Sequence, residues 1–80
     1  MKIIELVQNL TWNQKIAVLR TINRWSQEEA AEKCGTDKRI YWGWENGTNY
    51  PRLNSRKAIA SAFKVSMEEI FPVTTQRRGA

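Results

Sequence analysis

Between Ser26 and Gly47 the chain opens and closes a helix twice with almost nothing in between, and that spacing limits the folds open to it. Ser26 followed by Glu29 is a capping-box pair, which satisfies the free amides of a helix start reciprocally. Gly35 then supplies the permissive backbone at which helices end, so the spacing predicts a short helix from about Gln27 to Cys34. Asp37 can cap a second helix, Lys38 to Asn46, and Asn46-Gly47 suits the left-handed angles that stop it. Two helices joined so tightly need a small residue where they approach and a flexible one at the turn. Ala31 and Gly35 meet those needs.

The flanking sequence supplies more helices. Thr11 with Gln14 is another capping-box pair, opening a helix in which Trp12, Ile16 and Leu19 form one stripe, widened by Val18 and Ile22. After a loop containing Pro51, Asn54 or Ser55 can cap a helix that turns Ala58, Ile59, Ala62 and Phe63 inward. Ser66 with Glu69 starts a last short helix, which buries Met67 or Ile70 with Phe71 and stops at Pro72. Ile3, Ile4, Val7 and Leu10 lie at helical spacing, so residues 1–10 are expected to form a helical extension. Residues 11–71 make the main body and 72–80 a flexible basic tail, the whole being one domain, since a chain of 80 residues cannot support two cores.

Thirteen Lys and Arg stand against eight Asp and Glu, a net charge of +5 that draws a small domain to polyanions. The segment from Thr36 to Lys57 holds five of those cations against Asp37 and Glu45 alone. No histidine is present and Cys34 is the sole cysteine, so neither a zinc site nor a His-based catalytic group is expected, and an intramolecular disulfide is impossible. No nucleophile–base pair or phosphate loop is visible, so the reading is of a protein that is not an enzyme and needs no cofactor. No segment has the length of a membrane span, and a reducing cytoplasm fits the lone thiol.

The run from Ser26 to Gly47 resembles the lambda-repressor-like, Cro-type helix-turn-helix family. The Ser-Gln start, Ala31, Gly35, Trp44, Glu45, Gly47 and Pro51 fall at the family's offsets, with Leu19 and Arg20 upstream, and the likeness covers roughly residues 11–71. It departs from the family at Ala30, where a large aliphatic residue is usual, and at Tyr41, where a smaller aliphatic one is. A loss on one helix matched by a gain on its neighbour can conserve core volume. The resemblance implies an all-α fold of five helices, with the possible N-terminal one in addition.

On the second helix of the motif, a step of about 100° per residue puts Ile40, Tyr41 and Trp44 on one side and Lys38, Arg39, Trp42 and Gly43 on the other. The resemblance places base-reading side chains at Lys38, Arg39 and Gly43, with Trp42 beside them; Lys and Arg suit guanine O6 and N7. Gly43 brings no side chain. Its absent Cβ either reflects an unconstrained exposed site or gives the helix room near the groove or beside Trp42. Trp42 can contact a sugar or a thymine methyl, fold back on the surface, or serve a protein partner. The resemblance assigns phosphate contacts to Gln27, Asn46, Thr48 and Asn49, and Arg52, Arg56 and Lys57 add charge beside them, the last two placed unfavourably for a helix start unless an external anion faces them. It also pairs Arg20 with Glu45 in a structural salt bridge.

Other features have plainer readings. Trp12, Trp25 and Trp44 are expected to pack, Cys34 to be a buried inert thiol, and Glu28, Glu29 and Glu32 to form a face turned from the DNA. The expectation is therefore a sequence-specific binder of double-stranded DNA, a transcriptional regulator of the repressor kind, acting as a homodimer on a near-palindromic site with no membrane or small-molecule partner. The rival is a protein-interaction module of antitoxin or adaptor type on the same fold, anchored by Trp42. The basic charge around Lys38, Arg39, Arg56 and Lys57 favours DNA.

Overall fold

The computed structural model describes residues 10–71, and all of its regular structure there is helical. The elements are α1 (Trp12–Ile22), α2 (Gln27–Lys33), α3 (Lys38–Glu45), α4 (Leu53–Phe63) and α5 (Met67–Ile70). The expected helix within residues 1–10 and the basic tail 72–80 lie outside the described residues, apart from Leu10.

The local start signals act where the sequence puts them. Thr11 and Ser26 form complete capping boxes with Gln14 and Glu29, and at Ser66 the backbone amide donates to Glu69 Oε1 at 2.7 Å. Asp37 caps α3 by accepting from the Ile40 amide at 2.8 Å. The α2–α3 turn passes through Gly35 at φ +75°, a conformation that glycine adopts without strain. α4 is different. It begins at Leu53, ahead of the expected Asn54 or Ser55 cap, and its N-cap Arg52 gives no side-chain hydrogen bond. The Arg56 amide makes the usual first-turn bond to the Arg52 carbonyl at 2.8 Å, and Arg56 Nη1 donates to the Pro51 carbonyl at 2.8 Å. That side-chain bond ties the first turn of α4 to the loop ahead of it.

α2 packs on α3, α1 on both α3 and α5, and α4 on α5 and α2. Ile16 and Leu19 of α1, Ala30, Ala31 and Cys34 of the α2 segment, Tyr41 and Trp44 of α3, Ile59 and Phe63 of α4, and Ile70 and Phe71 form one core. Ala30 and Tyr41 are both fully buried there, consistent with an exchange of volume between neighbouring helices. Trp12 packs edge-on to Tyr50 at 5.1 Å and against Phe71, and Trp25 stacks on Phe63 at 5.5 Å. Cys34 is buried, and desolvation pushes its thiol up to about 11.

Two side chains depart from the expected stripe on α1. Ile22, the last residue of α1, is exposed. Lys15 is buried, its Nζ donating to the Glu69 carbonyl at 3.1 Å. That carbonyl belongs to the last turn of α5, where acceptors lack partners within the helix. A lysine thereby joins the two helices.

Candidate nucleic-acid interface

α3 is oriented by its last residues. Glu45 accepts from Arg20 Nε at 2.5 Å and Nη2 at 3.2 Å, a two-point pair with the carboxylate side chain only 7% exposed. Gln27 Nε2 donates to the same carboxylate at 3.1 Å, and Asn13 Nδ2 donates to the Glu45 carbonyl at 3.2 Å. One residue thus ties α1, α2 and α3 together. Burial pushes the Glu45 carboxyl up, but the hydrogen bonds from Arg20 and Gln27 with the guanidinium charge outweigh it, so the group is held below its ordinary value. The Tyr41 hydroxyl lies beside this network but reaches hydrogen-bond geometry with no partner among the described residues, and its buried position holds it strongly protonated.

The opposite face of α3 is open. Lys38, Arg39 and Trp42 are exposed, Trp42 to 50%. No carboxylate competes with the two cations on the helix itself, because Glu45 is turned into the Arg20 pair; Asp37, just before it, has its Oδ1 on the Ile40 amide. The division expected from the helical step fails at two positions. Ile40, expected inside, is 43% exposed, and Gly43, expected outside, is buried.

The reason lies in the loop that follows. The Thr48 and Asn49 amides both donate to the Gly43 carbonyl, at 3.0 and 3.3 Å, and Thr48 Oγ1 donates to it at 3.2 Å. The loop folds back so closely that a Cβ on Gly43 would lie 2.6 Å from Asn49 Nδ2 and 3.2 Å from Thr48 Oγ1. Gly43 therefore makes room for its own loop, and it offers no open surface to a base. Ile40 is left at the wall of an open groove of about 510 Å³, which it lines with Trp44, Tyr50, Pro51 and the polar residues Thr36, Thr48, Asn49, Arg52 and Ser55.

The residues expected to hold phosphate are not equally free. Asn46, Thr48, Asn49, Arg52 and Lys57 are all exposed, but their side chains are not equally committed. Gln27 spends its side-chain amide on Glu45, and Asn46 spends its own on the Trp42 carbonyl at 2.9 Å. Thr48 is occupied at Gly43, and Arg56 is half-buried between the Pro51 carbonyl and the Tyr50 ring, its guanidinium 5.2 Å from the ring centroid. The roles of Asn13 and Tyr50 in positioning this edge escape a sequence reading, because their partners are distant in the chain or belong to a folded loop. The α4 start has no acidic residue in its first turn, so its amide end together with Arg52 and Lys57 makes an electropositive edge next to α3.

The helix-turn-helix family profile matches residues 16–70. The chain is 33% identical over 62 residues to the HTH-type transcriptional activator BcrR of Enterococcus faecalis, a match that takes in 78% of this chain and 30% of that protein. It thus spans well under half the length of that relative. Among solved structures, the restriction-modification controller protein C.AhdI from Aeromonas hydrophila aligns with a TM-score of 0.71 at 30% identity, over 75% of this chain and 91% of that one. No described helix is long and apolar enough to cross a membrane.

Proposed function

The chain belongs to the Cro/lambda-repressor-like helix-turn-helix family of DNA-binding transcription regulators, and from that premise we propose that α3 enters the major groove and reads base edges through Lys38, Arg39 and Trp42. The observation that carries this reading is the open face of α3, which presents two cations with its one carboxylate turned inward to Arg20. Gly43 has no part in it. Phosphate is held beside α3 by Asn49, Arg52 and Lys57 and by the backbone amides at the start of α4, whereas Gln27, Asn46, Thr48 and Arg56 act mainly by fixing those elements.

One such domain covers a single short half-site, so specificity on a genome calls for two copies. We infer a homodimer on a near-palindromic site, with half-sites about one helical turn, ~34 Å, apart. The protein acts by occupancy, without catalysis, and works in the cytoplasm on the nucleoid. Its direction of regulation follows from where the operator lies relative to the promoter. Repression is expected from the sequence, and one relative is named a transcriptional activator.

Selection of bound duplexes from a random pool tests this reading, followed by footprinting of the enriched site. The expected result is an enriched two-fold sequence protected as two half-sites. A pool that stays unenriched at moderate salt overturns base reading, and a single short site bound first order in protein overturns the dimer.

A further inference from the structure

The largest exposed apolar group on α3 is the indole of Trp42, and its surroundings suit one class of ligand. Lys38 and Arg39, four and three residues earlier on the same open face, flank it with positive charge. The next residue, Gly43, brings no side chain, and the loop covering Gly43 leaves Trp42 half exposed. Asn46 anchors this turn by donating to the Trp42 carbonyl, so the indole stands on fixed backbone. Flanking cations are unfavourable for a basic or purely apolar protein partner but complement the phosphates that line a major groove.

Within that groove the only apolar group on a base edge is the C5-methyl of a pyrimidine. We propose that Trp42 reads a pyrimidine C5-methyl group, the inference resting on the major-groove placement of α3 proposed above. Indole has no acceptor, and its one donor nitrogen sits on a large apolar ring, so its discrimination comes from covering the methyl rather than from hydrogen bonding. The methyl can belong to thymine or to 5-methylcytosine, which present the same group at the same position.

The test uses the duplex enriched by selection and the full chain. Each thymine in turn is replaced by deoxyuridine, and each cytosine by 5-methylcytosine. Burying one methyl corresponds to about fourfold in affinity. The expected result is one position per half-site where binding falls about fourfold on loss of a thymine methyl, or rises about fourfold on gain of a cytosine methyl; which of the two occurs identifies the source. Trp42→Ala should erase that difference and Trp42→Phe should keep part of it, with the thermal midpoint of both close to the parent. An enriched site at which no methyl change alters binding overturns this inference alone, as does an undiminished methyl effect in Trp42→Ala. A pool that yields no enriched duplex overturns the major-groove reading itself, and the methyl reading with it.

Discussion

Arg20 of α1 and Glu45 of α3 face each other through two hydrogen bonds, with the arginine side chain 21% exposed and the carboxylate 7%. Arg20→Ala leaves that carboxylate with Gln27 as its remaining side-chain donor, and should destabilise the domain by about 3 kcal/mol in urea unfolding. Replacing both by apolar residues of similar volume should cost much less. A single-mutant loss within error would mean that the pair behaves as a surface one.

The same pair sets a pH dependence. Glu45 titrates below its ordinary 4.5 in the folded state, so its contribution is fully present above that value and is lost as pH falls through the folded pKa. Stability of the parent should therefore decline on acidification below about pH 4.5, and the decline should be shallower in Arg20→Ala.

Tyr41 buries a hydroxyl that has no partner of good geometry among the described residues. Tyr41→Phe removes the unsatisfied group while keeping the ring against Trp44, and should raise stability by ~1 kcal/mol. A loss of similar size would show that the hydroxyl donates to Glu45 after all.

At Gly43 two effects oppose. Alanine favours the helix by ~1 kcal/mol, but its Cβ must displace the end of the Asn49 side chain, which is exposed and flexible. Gly43→Ala should be close to neutral in stability, and Gly43→Ala with Asn49→Ala should recover most of the gain. If Asn49 holds phosphate, as proposed, Gly43→Ala should also weaken DNA binding, seen by titration of the enriched duplex.

Reading and holding should separate by mutation. Arg39→Ala should lose ~1–3 kcal/mol on the specific site and relax preference at one base pair. Lys57→Ala, in the second turn of α4, should weaken all duplexes alike and lower the salt slope by ~1 per subunit. Equal losses by Arg39→Ala on specific and random duplexes would assign it to the backbone.

The helices of the motif were legible because their signals are local. A hydroxyl or carboxylate at the cap and a partner three residues on suffice to start a helix, and Thr11, Ser26, Asp37 and Ser66 all do so where their spacing indicates. The turn at Gly35 and the core positions of Ile16, Trp44, Ile59 and Ile70 follow equally from short-range pattern. What stayed hidden depends on groups that meet only after the chain has folded. A helical step assigns Gly43 to an outer face, yet the loop at Thr48 and Asn49 returns to cover it. Side-chain reach likewise ties the first turn of α4 to its loop, through Arg56 on Pro51, and decided the burial of Lys15, through a carbonyl on α5. Gln27 could have faced phosphate until α3 brought Glu45 alongside it. In each case the competing partner lies in another element, and local periodicity carries no information about which distant group will claim a side chain first.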